Sequence, residues 1–229
     1  MKRIMTGLLA LTLAGSALSG AAAETTLETI LGAGTTQAFT QNAVKEDDVK
    51  TILQAGLRAT SAINQQPWFF AAVTDPEVMV RLSSGGFGAP PAGMTPPAGA
   101  PQGAEGAPAG APAGMPASSG PKAGVGDSPL AIVVYMDPNT KSPNPNFDCG
   151  LATQNLVLAA VSLGYGAKVV TSPTMTLNGE KHDELCALMG VDPAMQAVAV
   201  VLIGEPDSAV DGATGASVRG TLSEKTNIG

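Results

Sequence analysis

The sequence predicts an α+β fold in which helices and strands alternate along one domain. Three observations lead to this prediction. Lys45–Arg58 has apolar residues at helical spacing, Ala131–Tyr135 is a β-branched run that suits a buried strand, and Phe147–Leu163 has a second apolar helical stripe. The connections between the elements do not by themselves require a parallel sheet.

Eight elements follow in chain order from these apolar patterns. They are helices over Lys45–Arg58, Pro76–Leu82, Phe147–Leu163 and Lys181–Met189, and strands over Trp68–Val73, Ala131–Tyr135, Lys168–Thr171 and Ala197–Ile203. The first helix opens with the acidic run Glu46–Asp48, which the positive end of the helix dipole favours. In the second long helix we expect Asp148 to be the N-cap. Its apolar face is expected to comprise Ala152, Leu156, Ala159 and Leu163.

The N-terminus is typical of a secretory signal peptide. Lys2 and Arg3 give a basic start, Ile4–Ala14 is an apolar run, and three alanines end at Ala23 before Glu24. The apolar run is too short to span a bilayer comfortably. We therefore expect a signal peptide over residues 1–23, a single domain over residues 24–229, and a secreted or periplasmic protein.

The charge balance is acidic. The chain has 12 Lys+Arg against 19 Asp+Glu, a net charge of −7, and removal of the two basic residues in the signal peptide changes this to 10 − 19 = −9. Such a balance disfavours nucleic acid and anionic membrane surfaces as partners. We expect no nucleic-acid binding.

A compositionally distinct segment, Gly85–Gly126, interrupts the domain. It contains 9 of the 18 prolines and 12 of the 28 glycines, and its only charged residues are Glu105 and Lys122. Such a composition cannot bury enough apolar surface to offset the entropy lost on ordering, so we expect disorder. Neither flank alone is complete as a domain, and we interpret residues 85–126 as an insertion within one domain.

Three stretches resemble the nitroreductase-like flavoproteins. RATSAINQQPWFF (Arg58–Phe70) is similar to the family signature R-x-P-S-x-x-N-x-Q-P-W, which ends the first long helix. FDCGLATQNLVLAAVSLGYGA (Phe147–Ala167) resembles the family's central helix and the turn after it, and AVAVVLIGEP (Ala197–Pro206) resembles its last core strand. The order and spacing agree once the insertion is set aside, and the resemblance spans most of Leu27–Glu224.

The resemblance implies a nitroreductase-like α+β fold, with a central and mainly antiparallel sheet flanked by helices. It also implies an intertwined homodimer that binds FMN in two clefts at the subunit interface. At the matching positions, Arg58, Ser61 and Asn64 would supply donors and acceptors to the ribityl chain and ring edge. Ser172 and Pro173 fall where the family lays backbone against the redox-active ring edge.

One part of the family pattern is missing. The family opens with R-x-S-x-R-x-F, whose cations clamp the FMN phosphate, but counting back from Phe39 this chain has Ala33, Thr35 and Gln37. Each lost charge-assisted hydrogen bond costs about 1.5–3 kcal/mol. We expect Thr35 and Gln37 to lie at the phosphate position, and non-covalent FMN binding to be weak.

The C-terminal stretch DGATGAS (Asp211–Ser217) resembles the D-x-x-[ST]-G-A-[ST] acceptor motif of exported flavoproteins. In those proteins a flavin transferase joins the FMN phosphate to the final hydroxyl. The nitroreductase-like family also has two C-terminal cationic positions at its phosphate site, and they fall here on Ser217 and Arg219. The resemblances imply FMN held by a phosphoester to Ser217, with Arg219 beside the phosphate; the alternative is an ordinary surface turn.

The expected function is that of an exported FMN-dependent oxidoreductase that reduces a small organic acceptor. Flavin is expected to carry the chemistry, with no catalytic side chain and no bound metal. Nicotinamide nucleotides are scarce outside the membrane, so we expect an extracytoplasmic electron donor. Two alternatives stay open: a flavin-carrying electron-transfer protein without a dedicated substrate, and a non-enzymatic binding module that has lost the flavin.

The remaining reactive side chains are interpreted as structural. His182, the only histidine, lies at a polar helix start and is expected to be solvated. Cys149 is expected to be a packed small side chain, although a helix N-terminus can lower the pKa of a thiol. Cys149 and Cys186 either form a disulfide or remain two buried thiols, and the sequence does not decide between these.

Overall fold

A computed structural model describes the chain over residues 26–83, 124–209 and 225–226. The signal peptide, most of the insertion, and the predicted attachment site at Ser217 and Arg219 lie outside the described residues. Gly124–Gly126, which the composition assigns to the insertion, belong to the described fold. Val125 is buried there within a 3₁₀ helix, Val125–Asp127.

The chain divides into a short N-terminal unit that ends at Ala33 and a main unit that begins at Gly34. Helix α1, over residues 26–32, is the described part of the first unit, and three of its apolar residues are exposed: Leu27, Ile30 and Leu31. Within the residues that the structure describes, no helix has both the length and the apolarity needed to cross a membrane.

The main unit contains the eight predicted elements, with ends that differ from the prediction by at most two residues, and one further short helix, α5. The elements are α2 (Glu46–Leu57), β1 (Trp68–Val73), α3 (Pro76–Ser83), β2 (Leu130–Met136), α4 (Pro145–Ser162), β3 (Gly166–Val170), α5 (Thr174–Leu177), α6 (His182–Met189) and β4 (Gln196–Gly204). A 3₁₀ turn, Ala62–Asn64, lies between α2 and β1.

The four strands form one sheet in the order β1-β2-β4-β3, and all three pairs are antiparallel. The predicted antiparallel sheet is therefore confirmed. The register between β2 and β4 shifts at one point, because Val134 pairs with Ala199 whereas Tyr135 pairs with Ala197. Val198 is the extra residue of this bulge. Strands β1 and β3 are the two edges of the sheet.

Apolar layers cover both faces of the sheet. Every residue of β2 is buried, and the two faces alternate along the strand as strand geometry requires. Leu130, Ile132, Val134 and Met136 share a core with α2 and α4, whereas Ala131, Val133 and Tyr135 share a core with α3, α5 and α6. The domain is a three-layer α+β structure.

Helix α4 differs from the prediction at its start and along its buried face. Its N-cap is Asn144, whose side-chain oxygen accepts the N–H of Phe147 at 3.3 Å, and Asp148 is instead buried within the first turn. The residues buried on α4 are Asp148, Cys149, Ala152, Thr153, Leu156, Val157 and Ala160, while Leu163 is 40% exposed. This face is broader than predicted because α4 packs on both the sheet and α2.

Helices α2 and α4 approach closely at Gly56. A Cβ at this position would lie 2.7 Å from Leu156 Cδ2 and 2.9 Å from the Phe70 ring. Close by, the Asn155 amide donates to the Ala55 carbonyl at 3.1 Å. The absence of a side chain at Gly56 therefore sets the distance between the helices, and with it the position of the loop that follows α2.

We expect Gly56→Ala to destabilise the domain. The added methyl group overpacks a filled core, which costs about 1–3 kcal/mol and exceeds the gain of about 0.5–1 kcal/mol from better helix propensity. Gly150→Ala is the matched control, because a Cβ there meets nothing within 4 Å and only the propensity gain remains. Urea unfolding of both variants measures this, and a stabilised Gly56→Ala would contradict the close approach.

His182 is not the solvated residue that the sequence predicts. The ring is half-buried, with Nδ1 2.5 Å from the Leu177 carbonyl oxygen and Nε2 2.8 Å from the Pro193 carbonyl oxygen. Because carbonyl oxygens only accept hydrogen bonds, both ring nitrogens donate when the ring is an imidazolium. The Leu177 carbonyl, followed by the Pro193 carbonyl, raises the pKa of His182. The charged ring thus joins the end of α5 to the loop before β4.

This contact predicts a pH-dependent contribution to stability. A raised folded-state pKa means that the contribution is complete below the unfolded value of about 6.5 and is lost as the pH rises through the folded pKa. We expect the difference in melting temperature between wild type and His182→Gln to be largest at acidic pH and to shrink at alkaline pH. Thermal melts from pH 5 to pH 9 test this, and a constant difference would show that the ring does not titrate as described.

Candidate functional site

The loop between α2 and β1 contains three of the predicted flavin contacts. Arg58 is exposed immediately after α2 and forms no ion pair within the described residues. Further on, Ile63, Asn64 and Gln66 have φ angles of 46°, 55° and 46°. Left-handed backbone is uncommon outside glycine and is a true outlier for a β-branched residue such as Ile63. Backbone of this kind clusters at ligand sites, where the fold holds it in place.

Hydrogen bonds within the loop orient Ser61 and Asn64. The N–H of Gln66 donates to Ser61 Oγ at 2.9 Å, and its side-chain amide donates to Asn64 Oδ1 at 3.1 Å. Both oxygens are thereby occupied as acceptors, and neither the Ser61 hydroxyl hydrogen nor the Asn64 amide group has an acceptor among the described residues. The two side chains can therefore donate to carbonyl oxygens and ring nitrogens of a bound ligand.

Thr35 and Gln37 lie in residues 34–40, which we call the strap. It begins beside β3, where Thr36 donates its N–H to the Ala167 carbonyl at 3.1 Å. A side chain at Gly166 would overlap that of Thr36, so the close approach requires glycine. Within the strap, the Gln37 amide donates to the Thr35 carbonyl at 3.4 Å. The two predicted phosphate-site residues are therefore both at the β3 edge.

The predicted ring-edge segment follows the same strand. Ser172 is exposed just after the end of β3, and Pro173 is buried at the start of α5. The turn is closed by Thr174, whose N–H and hydroxyl both donate to the Thr171 carbonyl, at 3.0 and 2.7 Å. Ser172 and Pro173 thus lie along the same sheet edge as the strap.

The predicted residues form two groups at the two opposite edges of the sheet. Thr35, Gln37, Ser172 and Pro173 lie along β3, whereas Arg58, Ser61 and Asn64 precede β1. Strands β2 and β4 lie between the two edges, and three strand spacings amount to roughly 14 Å. The structure keeps Arg58, Ser61 and Asn64 in one loop. The strap contacts the start of β3 at Ala167, whereas Ser172 and Pro173 follow its end at Val170, and the β1 and β3 groups are not brought together within one chain.

The C-terminal segment leaves the described fold beside the strap. Thr40 donates its N–H to the Glu205 carbonyl at 2.9 Å, and Asp207 donates its N–H to the Ala38 carbonyl at 3.1 Å. Ala209 is the last described residue before the stretch that contains Ser217. Glu205 and Asp207, which precede the DGATGAS stretch, are therefore fixed beside Thr40 and Ala38 of the strap.

The two cysteines are buried free thiols, and the disulfide alternative is not realised. Burial, followed by the negative charge of Asp148, raises the pKa of Cys149 to about 12. Cys149 is therefore a packed side chain and not an activated thiol. Among the described residues, no three His, Cys, Asp or Glu side chains form a group that could hold a metal ion.

Comparisons with known proteins agree with the fold. Residues 30–205 match the profile of the Nitroreductase family. The chain belongs to the Nitroreductase family. The sequence-based prediction of an oxidoreductase with a nitroreductase-like fold is thereby confirmed. An Archaeoglobus fulgidus protein, proposed to be an NADH dehydrogenase/NAD(P)H nitroreductase, is 28% identical over 76% of this chain and 80% of its own length.

Solved structures of nitroreductases share the fold. A Bacteroides fragilis nitroreductase with bound FMN superposes with a TM-score of 0.64 at 20% identity, covering 89% of this chain and 98% of that one. A Desulfitobacterium hafniense nitroreductase with bound FMN gives a TM-score of 0.65 at 20% identity, covering 89% and 97%. The central sheet and flanking helices of this nitroreductase-family protein are thus shared with FMN-binding proteins.

The sequence did not reveal the residues that hold the α2–β1 loop. Asp148 is 3% exposed, accepts the N–H of Ala62 at 3.1 Å, and also accepts the hydroxyl of Ser142 at 2.6 Å. One signal was present, because Asp148 is four residues before Ala152 and therefore on the apolar face of α4. An acidic side chain on such a face needs buried partners, whereas a helix cap does not.

Proposed function

We propose that this protein is an exported FMN-dependent oxidoreductase that reduces a small organic acceptor, with the flavin held covalently at Ser217. Family membership and the FMN bound in the Bacteroides fragilis and Desulfitobacterium hafniense nitroreductases support the cofactor. The basic, apolar and small-residue pattern of residues 1–23 supports export to the periplasm or beyond. Bound FMN supplies hydride and electron transfer, and the protein binds, orients and shields it.

The observation that carries the proposal is the left-handed loop within the family signature. Its internal hydrogen bonds leave Ser61 and Asn64 as donors, which fits the carbonyl and nitrogen acceptors along the polar edge of a flavin ring. Arg58 adds an exposed cation that is always charged. Donors directed at this edge stabilise the negative charge that a flavin gains on reduction.

The same geometry favours a homodimer. Arg58, Ser61 and Asn64 lie across the sheet from Ser172 and Pro173, so a cleft lined by both groups requires the β1 side of one subunit to meet the β3 edge of another. A symmetric pair makes this contact twice and forms two equal clefts. The exposed apolar side chains of Leu57, Ile63 and Phe147, each more than half exposed, suit burial by a second copy.

The phosphate position supports covalent attachment. Thr35 and Gln37 stand where the family has cations, and the Gln37 amide is directed back to the Thr35 carbonyl. A phosphate dianion there lacks the charge-assisted hydrogen bonds of about 1.5–3 kcal/mol each. A phosphoester to Ser217 keeps the flavin at the site by raising its effective concentration, and Arg219 supplies one cation. A flavin transferase is the partner that this attachment requires.

An extracytoplasmic donor is the further partner that we propose. The relative from Archaeoglobus fulgidus is named for NAD(P)H, but those nucleotides are scarce outside the cytoplasm. The net charge of the mature chain is −9, which opposes the approach of an anionic dinucleotide. A quinol chain, a cytochrome or a second flavoprotein would therefore deliver the electrons.

We expect the native exported protein to exceed the mass of its mature chain by one FMN minus one water, because the ester forms with loss of water. Ser217→Ala should remove the adduct, whereas Ser208→Ala, a serine outside the motif, should retain it. Denaturing intact-mass spectrometry, with peptide mapping of the Ser217 peptide, measures both variants. Native mass spectrometry of the same sample should give two chains and two flavins.

Full release of flavin on denaturation would exclude the covalent bond. It would not contradict the proposed FMN-dependent oxidoreductase activity. A protein that carries no flavin after co-expression with a flavin transferase would overturn the proposed function. A flavin-loaded monomer would overturn the shared cleft.

We expect slow reduction by NAD(P)H and fast reduction by a low-potential one-electron donor such as dithionite-reduced viologen. The physical reason is the electrostatic repulsion between the acidic protein and the anionic dinucleotide. Stopped-flow bleaching of the flavin absorbance measures both rates. Rapid, saturable reduction by micromolar NADH would instead establish nicotinamide as the donor.

A further inference from the structure

Hydrogen bonds within the α2–β1 loop join Gln66 to Ser61 and Asn64, and contacts from outside the loop add to them. Ile63, Asn64 and Gln66 are left-handed, and Ile63 is 73% exposed, so packing of its side chain does not compensate for the strain. A strained segment persists only when its surroundings fix it. The support from outside the loop comes from its buried side.

The buried side of the loop faces the carboxylate of Asp148. One oxygen accepts the N–H of Ala62 at 3.1 Å, and the other accepts the hydroxyl of Ser142 at 2.6 Å. Asp148 is 3% exposed and takes part in none of the ion pairs formed by the described residues. Its place in the first turn of α4 lets the helix dipole stabilise the charge.

A second contact joins the loop to the same support. Gln65 Oε1 accepts the N–H of Lys141 at 3.1 Å, and Lys141 directly precedes Ser142. Ala62 and Gln65 are thus both tied to the start of α4 and the segment before it. The two ties enclose Ile63 and Asn64, the first two left-handed residues.

We propose that Asp148 is a positioning residue for the flavin. Through the Ala62 amide it fixes the left-handed turn, and the turn in turn holds Ser61 and Asn64 as donors toward the flavin edge. Asp148 itself does not touch the cofactor. This inference rests on the proposed function, since it assigns to Asp148 the geometry of the FMN-binding loop.

The alternative is that Asp148 only stabilises the start of α4. In that case its removal lowers thermal stability without a selective loss of FMN affinity. Thr153 provides the matched control, because it is also buried on α4 and its hydroxyl donates only to the Cys149 carbonyl of the same helix, at 2.8 Å. Thr153→Val removes that bond and leaves the loop contacts in place.

The test uses the full mature chain with Ser217→Ala, so that FMN exchanges freely. Titration with FMN, followed by quenching of flavin fluorescence, gives the dissociation constant of each variant. We expect Asp148→Ala to weaken FMN binding about tenfold or more, because a bond to a charged acceptor is lost. Asp148→Asn retains an oxygen acceptor for Ala62 and should recover most of the affinity, and Thr153→Val should leave the affinity unchanged.

Relief of backbone strain gives a second readout that a purely structural role would not produce. Glycine adopts the φ of 46° at position 63 without steric cost. The double variant Ile63→Gly/Asp148→Ala should therefore bind FMN several-fold more tightly than Asp148→Ala alone. Equal FMN affinity in wild type and Asp148→Ala, or a loss of the same size in Thr153→Val, would overturn the proposal.

Hydrogen–deuterium exchange on the FMN-free protein separates this inference from the proposed function. Asp148→Ala should speed exchange across residues 61–66 relative to Thr153→Val, whether or not flavin binds. If Asp148→Ala exchanges faster in residues 61–66 but the wild-type protein binds no FMN, the proposed function is refuted, and with it the role of Asp148 in positioning flavin. Unchanged exchange in residues 61–66, in a protein that does bind FMN, would refute the positioning role alone.

Discussion

Complete burial of β2 on both faces is the constraint on which the rest of this structure depends. Its seven residues direct alternate side chains into two separate cores, and neither core can be exposed to water without losing a large apolar area. One face must therefore be covered by α2 and α4, and the other by α3, α5 and α6. The loops that enter and leave the edge strands are held by these layers, which is why the candidate site lies at the two edges.

The candidate site combines rigid support with unusual backbone. Gly56 sets the contact between α2 and α4, and Asp148 holds the loop that follows α2 from the opposite side. The left-handed residues Ile63, Asn64 and Gln66 thus follow one of these helices, and the loop that contains them is tied to the start of the other. A flexible loop would lose conformational entropy when a ligand binds, whereas this loop is already ordered in the folded protein.

The predicted phosphate position follows a different principle. Thr35 and Gln37 stand where the nitroreductase signature predicts cations, and backbone hydrogen bonds with Ala167, Glu205 and Asp207 help to hold the strap. Backbone contacts fix geometry but supply no net positive charge. A covalent bond from the segment after Asp207 would retain the FMN phosphate at a position where the strap supplies no positive charge. If the protein is exported as we propose, it meets no cytoplasmic FMN pool, and such a tether would also prevent loss of the cofactor.

The sequence by itself determined the eight elements, the antiparallel α+β class and the family, because apolar periodicity and the R-A-T-S-A-I-N-Q-Q-P-W stretch are local properties of the chain. It failed where a side chain's role depends on residues far away in the chain. Asp148 reads as a helix cap but is a buried support for Ala62, and His182 reads as solvated but bonds two carbonyl groups. The tertiary structure alone decided these roles and the separation of Asn64 from Ser172 across the sheet, because strand order and buried hydrogen bonds arise only when distant segments pack together.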